Sequence, residues 1–180
     1  MLIDRSKSVL MLVDLQERLL PAIDAWQTLQ ENVAWMTRVA LALNVPILAS
    51  EQYPKGLGPT VPLLRGLLPE ASVGEKEHFS CVQAACFEGK PGADAAHVVL
   101  CGVEAHVCVL QTALDLSAAN RKVFVVADCV GSRKPADRDI ALVRMRDHGV
   151  EVVSREMVAF EWLGRSASEE FRRISREFLR

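Results

Sequence analysis

The chain has 180 residues, half of them apolar, and its 21 basic and 23 acidic side chains give a formal charge of −2. A chain of this size and composition can bury one sizeable core, so we expect residues 1–180 to form a single domain. Charges of both signs are interspersed along the chain. This argues against a nucleic-acid partner and against a basic membrane-binding face.

The apolar runs and the cysteines of the sequence indicate in which compartment the protein resides. The apolar runs at the N-terminus and at 97–103 are too short to span a bilayer. The first residues do not resemble a secretory signal, because Asp14 and Glu17 follow directly. We therefore expect a cytoplasmic protein. The five cysteines lack C-x-x-C spacing, which argues against a disulfide framework and a zinc site.

The first half of the chain predicts strands alternating with helices. Residues 8–13 form a continuous apolar run, which is typical of a strand covered on both faces. Apolar residues at helical spacing predict a helix over 28–43, with Thr28 and Glu31 placed as a capping box. A second strand is predicted at 46–49, and a weaker third strand at 72–76 follows a loop rich in glycine and proline.

The second half continues this alternation. Strands are predicted at 97–103, 122–127 and 150–153, and helices at about 107–119, 136–148 and 166–179. Gly149 closes the second of these helices, and Ser166 and Glu169 are spaced as a capping box for the third. The apolar stripe of the last helix could pack on the core or serve a subunit contact.

Strands separated by helices predict βαβ units with right-handed crossovers. The expected fold is therefore a three-layer α/β/α sandwich, Rossmann-like, around a mostly parallel six-stranded sheet. Ligands of such sheets bind beyond the carboxyl ends of the strands.

Three reactive side chains follow predicted strands at that edge of the sheet. Asp14 ends the first strand, Lys76 ends the third, and Cys108 lies five residues past the fourth. Each has a structural alternative, since Asp14 could cap a helix, Lys76 could be a surface lysine and Cys108 a core thiol. Together, an acid, an ammonium and a thiol could form a nucleophile with a base and a charge partner.

Cys108 is also expected where the next helix begins. Unpaired backbone N–H groups and the positive end of the helix dipole favour thiolate over thiol at such a position. We therefore expect a lowered pKa for Cys108, well below 8.5.

Four segments in order give the chain a family resemblance. They are Val-Asp14-Leu-Gln16, Glu-Lys76-Glu-His-Phe-Ser80, Gly102-Val-Glu-Ala-His-Val-Cys108-Val and Val-Val-Ala-Asp128-Cys-Val-Gly-Ser-Arg133. With them the chain resembles the isochorismatase-like cysteine hydrolases, which include isochorismatases, nicotinamidases and N-carbamoylsarcosine amidohydrolase. The segments 51–60 and 105–115 resemble most strongly the branch known as isochorismatase domain-containing proteins, which has no settled substrate.

The resemblance implies a catalytic triad of Asp14, Lys76 and Cys108. Asp14 would take the thiol proton and later activate water, Lys76 would hold the charges in place, and Cys108 would attack a carbonyl carbon. The resemblance also implies a cis peptide bond between Val103 and Glu104, with the N–H groups of Glu104 and Cys108 forming an oxyanion hole. This family commonly forms oligomers, so a homo-oligomer is expected.

Nicotinamidases carry an Asp-x-His metal pair in the segment that reads Ser50-Glu-Gln-Tyr-Pro54 here, so no ligand set is visible. We therefore expect no metal and no other cofactor. The residues expected to line the substrate pocket are Gln16, Glu51, Tyr53, Phe79 and His106.

The expected function is hydrolysis of a small amide, carbamoyl or related acyl C–N substrate through a cysteine thioester. The alternative is a non-catalytic oligomeric binding or assembly protein that retains the hydrolase fold.

Overall fold

The computed structural model describes residues 1–179. Six strands form one parallel sheet in the order β3-β2-β1-β4-β5-β6. The strands are β1 (Ser8–Val13), β2 (Ile47–Gln52), β3 (Val73–Lys76), β4 (His97–Val103), β5 (Lys122–Gly131) and β6 (Glu151–Val153). The predicted three-layer architecture with a parallel six-stranded sheet is confirmed.

Seven α-helices connect and cover these strands. They are α1 (Trp26–Ala42), α2 (Pro54–Leu57), α3 (Pro62–Arg65), α4 (Leu110–Ala118), α5 (Pro135–Asp147), α6 (Arg155–Leu163) and α7 (Glu169–Phe178). A π-helical turn, Ala105–Val109, precedes α4. None of the helices within residues 1–179 is both long and apolar enough to cross a bilayer.

The core lies on both faces of the sheet. Alternate residues of β1 point to opposite faces, with Leu10 and Leu12 on one side and Val9, Met11 and Val13 on the other. The first side packs against α1, α6 and α7, and the second against α4 and α5. All six residues of β1 are buried, as the continuous apolar run predicts.

Both predicted capping boxes are wrong. Helix α1 begins two residues before Thr28, after Ala25 in a left-handed conformation (φ 48°), and has no side-chain cap. The cap of α7 is Ser168, whose side chain accepts from the N–H of Phe171, so the helix starts later than Ser166 would require. Several serines and threonines stand near each helix start, and spacing alone does not select among them.

Helix α6 was not predicted from the sequence. Its segment has a clear cap, since the Ser154 hydroxyl accepts from the N–H of Met157 at 3.2 Å, and Gly164 ends it with φ 66°. The apolar stripe of α7 packs within the chain: Ile174 is fully buried, Phe171 contacts Phe160 of α6, and Phe178 contacts Trp35 of α1. That stripe is therefore occupied by the chain's own core.

Candidate functional site

The site lies where the chain reverses its direction of travel across the sheet. From β1 the chain crosses to β2 and β3 on one side, whereas β4 pairs with the other side of β1. This creates a topological switch point between β1 and β4, where ligands of parallel sheets bind. Asp14 follows β1, Lys76 ends β3, and Cys108 follows β4, so all three face this crevice edge.

A buried ion pair joins Asp14 and Lys76. Lys76 Nζ donates to Asp14 Oδ2 at 2.8 Å, and neither side chain has any exposed surface. The hydroxyl of Ser50 donates to the other carboxylate oxygen, Oδ1, at 2.6 Å. Both oxygens of Asp14 are thus engaged, and the carboxylate is held in one orientation.

Lys76 is surrounded by acceptors. Besides Asp14, its ammonium donates to Gln52 Oε1 at 2.6 Å and to the carbonyls of Phe79 at 3.1 Å and His78 at 3.3 Å. Burial by itself lowers the pKa of Lys76, but the Asp14 carboxylate and Cys108 outweigh it and raise that pKa above its ordinary value. Lys76 therefore stays positively charged at neutral pH and acts as a fixed charge.

Cys108 lies in the π-helical turn and is only 6% exposed. Burial raises the pKa of its thiol, the Asp14 carboxylate raises it further, and Lys76 opposes them. The expected low-pKa thiolate is therefore wrong: the thiol is buried beside a carboxylate, and this outweighs a helix start. The pKa of Lys76 in turn responds to Cys108, so the three groups share one electrostatic environment.

The peptide bond between Val103 and Glu104 is cis. Val103 is fully buried, and the Glu104 carboxylate accepts from the side chain of Arg133 at 2.9 Å and from its backbone N–H at 3.2 Å. Burial opposes the ionised form of Glu104, but the hydrogen bonds and charge of Arg133 lower its pKa overall. Glu104 is therefore anchored as a carboxylate at the start of the π-helical turn that carries Cys108.

Two of the expected pocket residues brace a loop instead of facing open space. Gln16 is fully buried and bonds both to Gln52 and to the carbonyl of Gly58 at 2.7 Å. Glu51 Oε1 accepts from the N–H and the hydroxyl of Thr60 at 2.7 and 2.8 Å. Their side chains hold the loop after β2 against the sheet, which fixes the wall of the site.

The other expected pocket residues remain at the surface or its edge. Tyr53 and Phe79 are 51% and 52% exposed. Tyr53 lines a cavity of about 290 Å³ together with Lys76 and His78, whereas Phe79 and Cys108 are not among the residues that line it. His106 is half-buried, with Nδ1 2.9 Å from the hydroxyl of Ser132.

Sequence reasoning missed Ser50 and Gln52. Both lie on β2, two residues apart, so they point to the same face. Gln52 stands opposite Lys76 in the parallel register, and Ser50 stands opposite Val13, just before Asp14. That pairing could have identified them, because the end of β2 lies between the ends of β1 and β3.

A second buried thiol lies near the ion pair. Cys81 is 3% exposed, and its N–H donates to the hydroxyl of Thr112 at 3.0 Å. Hydrogen bonding from Cys86 lowers the pKa of Cys81, although burial opposes it, and Lys76 adds to the lowering. Cys81 is thus a second buried thiol within reach of the charge on Lys76.

The donor set does not fit a metal. Among residues 1–179 there is no group of three His, Cys, Asp or Glu side chains close enough to hold an ion. In the segment where nicotinamidases bind metal, Glu51 is committed to Thr60 and Gln52 to Lys76.

Comparison with known proteins places the chain among related sequences and folds. The family model described as the isochorismatase domain matches residues 8–157. Isochorismatase domain-containing protein 2A of Mus musculus is 39% identical over 171 residues, which cover 94% of this chain and 81% of the mouse protein. The human isochorismatase domain-containing protein 2 is also 39% identical, with 94% and 82% coverage.

Solved structures agree with this assignment. The MAR1 ribonuclease from Caenorhabditis elegans superposes with a TM-score of 0.89 at 32% identity, over 100% of this chain and 93% of that one. YcaC of Escherichia coli, described as an octameric hydrolase of unknown specificity, gives 0.82 at 26% identity over 92% and 83%. YcaC of Pseudomonas aeruginosa, with hexane-2,5-diol and covalent acrylamide, gives 0.85 at 25% identity over 99% and 92%. On the family match and these relatives together, the chain belongs to the isochorismatase family.

Proposed function

We propose that this protein is a metal-independent cysteine hydrolase that cleaves a small amide, carbamoyl or related acyl C–N bond. Cys108 is the nucleophile, Asp14 the proton carrier and Lys76 the fixed charge. The observation that carries the proposal is the buried Lys76–Asp14 ion pair, at 2.8 Å, whose charges act on the Cys108 thiol. Membership of the isochorismatase family supports a hydrolase.

The first step starts from a neutral thiol. Asp14 takes the proton of Cys108 as the sulfur attacks the carbonyl carbon, so negative charge moves from the carboxylate to the sulfur and then to the carbonyl oxygen. Lys76 stays positive throughout, and its charge compensates the anion wherever it resides. The high pKa of the resting thiol makes this proton transfer part of the attack itself.

The tetrahedral intermediate then collapses. The N–H groups of Glu104 and Cys108 stabilise the oxyanion, a contribution typically worth about 3–4 kcal/mol per donor. As the C–N bond breaks, the proton held by Asp14 passes to the leaving nitrogen. The products of this half-reaction are a free amine or ammonia and a Cys108 thioester.

Water completes the cycle. Asp14, again ionised, takes a proton from a water molecule whose oxygen attacks the thioester carbonyl. When the C–S bond breaks, that proton returns to the sulfur, and a carboxylic or carbamic acid leaves. The site ends with a neutral thiol beside the Asp14–Lys76 pair, as it began.

A covalent adduct in a relative suggests a probe. YcaC of Pseudomonas aeruginosa is described with covalent acrylamide. Acrylamide is both an electrophile for thiols and a small amide, so it matches the proposed chemistry of Cys108. The expected result is a single acrylamide adduct on Cys108, located by peptide mass spectrometry.

Turnover of a panel of small amides and carbamoyl compounds tests the roles. Cys108→Ala should abolish turnover, and Asp14→Asn and Lys76→Met should each lower it at least about 100-fold. Cys81→Ala is the matched control, because Cys81 is a buried thiol near the same charges, and it should retain most activity. Normal turnover in Cys108→Ala, or an adduct confined to Cys81, would overturn the proposal.

One observation favours a second function, a non-catalytic binding or assembly protein. Cys108 is 6% exposed and does not line the cavity beside Lys76. This alternative predicts no turnover of any member of that panel, with unchanged partner binding in Cys108→Ala. We also propose that the protein acts in the cytoplasm on a small molecule, as a homo-oligomer without nucleic-acid or membrane partners. The octameric YcaC of Escherichia coli supports the oligomer.

A further inference from the structure

The outer face of α5 carries apolar side chains that the fold does not use. Apart from the two N-terminal residues, Ile140 and Val143 are the most exposed large apolar residues, at 67% and 55%. Ala141, Leu142 and Met145 on the opposite face are buried and fix how the helix lies on the core. β-Branched residues are also weaker helix formers than lysine or glutamate. Their presence in the exposed middle of a helix therefore calls for a contact.

The exposed apolar residues form the centre of one stripe. Ala136, Ile140, Val143 and Asp147 follow one another at spacings of four, three and four, so they share one face of the helix. All four are exposed. The stripe thus runs the length of α5, with Ile140 and Val143 at its middle.

Charges of opposite sign flank the stripe at its two ends. Asp137 and Asp139 lie in the first half of α5, beside Arg138, whose guanidinium donates to Asp139 and to the carbonyls of Val130 and Ala127. Arg144 and Arg146 lie in the second half, where Asp147 ends the apolar stripe. Asp137 and Arg144 are seven positions apart, and so are Asp139 and Arg146, so each acid shares a flank of the helix with one base. About 10 Å of helix rise separates the members of each pair, too far for pairing within one helix.

A second copy of the helix supplies the missing partners if it packs antiparallel. If the two-fold axis passes between Ile140 and Val143, Ile140 of one copy packs against Val143 of the partner subunit, and the reverse. Each flank then meets the same flank running in the opposite direction. Asp139 comes opposite Arg146 of the partner subunit, and Asp137 comes opposite Arg144 of the partner subunit. A parallel arrangement would instead place acids against acids.

We propose that α5 forms a two-fold antiparallel interface between two copies of this chain. The inference rests on the homo-oligomer of the proposed function and names the surface that builds it. Such an isologous contact needs self-complementarity, which the apolar centre and the reversed charges provide. One helix face is smaller than a standard stable interface, so the contact is concentration-dependent unless further surfaces join it.

Sedimentation velocity of the full chain over a range of concentrations tests the apolar centre. Ile140→Lys should weaken association at least 10-fold, because it places two cations at the two-fold axis. Leu63→Lys is the matched control: Leu63 is a helical residue 39% exposed on α3, and its replacement should leave association unchanged. Circular dichroism checks that both variants keep the fold.

Charge reversal tests the antiparallel arrangement separately. Asp139→Arg and Arg146→Asp should each weaken association, and the double variant should restore it, because the reversed pairs attract again. Asp139 also accepts a hydrogen bond from Arg138 Nη1 at 2.9 Å within its own helix. Restored association in the double variant therefore distinguishes a contact between copies from the loss of this local bond.

The outcomes separate the two proposals. An oligomer that is insensitive to all α5 variants overturns the α5 interface and leaves the homo-oligomer standing. A wild-type chain that stays monomeric at every concentration overturns both. The hydrolase proposal is decided independently by the adduct on Cys108.

Discussion

At the scale of single residues, the resting thiol of Cys108 reflects a balance between burial and charge. Burial favours the neutral thiol, Asp14 adds to that preference, and Lys76 only partly offsets it. Because Asp14 and Lys76 carry opposite charges, their effects on the sulfur oppose each other, and protonation of Asp14 would leave the Lys76 charge uncompensated. Under the proposed mechanism, Cys108 therefore stays a thiol until a substrate carbonyl is present to accept the sulfur.

This raised pKa predicts how stability depends on pH. An unfolded cysteine ionises near pH 8.5, whereas folded Cys108 keeps its proton to higher pH. A raised folded pKa contributes stability that is complete below about pH 8.5 and is lost as the pH rises toward the folded value. Urea denaturation should show that Cys108→Ala removes up to about 1.4 kcal/mol per pH unit of the alkaline loss above pH 8.5.

Cys108→Ser provides a second comparison, because a serine hydroxyl does not titrate in this range. Both variants should match the wild-type slope below about pH 8 and show a shallower slope above about pH 9. Parallel curves for all three proteins would mean that Cys108 ionises equally in the folded and unfolded chains.

The candidate site could be predicted from the sequence to the extent that it consists of strand ends. Asp14 follows an apolar run and Lys76 ends a weaker predicted strand, and parallel strands deliver such residues to one edge. Ser50 and Gln52 could not be assigned in this way. Small polar residues end many strands, and only the register places Gln52 opposite Lys76. Likewise, the burial of Cys108 depends on packing that its local sequence does not encode.

At the scale of elements, strands were easier to predict than helix boundaries. The run at 97–103 coincides with β4 because both faces of that strand are covered, so its apolar pattern has no competing explanation. Helix α1 instead begins after Ala25 in a left-handed conformation without a side-chain cap, which no capping rule would select. Helix α6 was missed despite its Ser154 cap.

The close approach of β4 to β1 depends on Gly102. This residue has φ +124°, and a Cβ there would lie 2.2 Å from the carbonyl oxygen and 2.6 Å from the amide nitrogen of Val13. Since Asp14 follows Val13, the same approach brings the π-helical turn that carries Cys108 next to Asp14. No side chain larger than hydrogen fits without separating the two strands.

Gly102→Ala should therefore destabilise the protein by about 3 kcal/mol or more, because backbone atoms must move. For a chain of this size the melting temperature should fall by roughly 6–12 °C. Gly149→Ala is the matched control: Gly149 also has positive φ, at +83°, but nothing lies within 4 Å of its Cβ position. It should cost only about 1–2 kcal/mol. Equal melting temperatures for the two variants would contradict this account of the strand contact.

At the scale of the whole molecule, the sheet divides the core into two halves, only one of which contains Cys108. The half beneath α1, α6 and α7 contains Ile174 and does not contain Cys108. The half beneath α4 and α5 contains Cys108, Cys81 and Met145. Cys108 and Cys81 thus pack in one apolar layer, whereas the last helix, α7, packs in the other.

Ile174→Ala should consequently lower stability without altering the thiol. Ile174 is fully buried, so its truncation should cost about 2–5 kcal/mol and lower the melting temperature, as measured by calorimetry. The rate at which acrylamide labels Cys108 at 25 °C, well below the transition, should stay within about two-fold of wild type. The reason is distance across the sheet: α7 packs on the face opposite Cys108.

Met145→Ala is the matched comparison, because Met145 is also fully buried but lies on α5, which packs against the π-helical turn of Cys108. It should cost a similar free energy of unfolding and also change the labelling rate, since the turn loses part of its support. If Ile174→Ala changed labelling as much as Met145→Ala, the two halves of the core would be coupled through the sheet. The labelling rate of Cys108 would then depend on both apolar layers and not only on the layer that contains it.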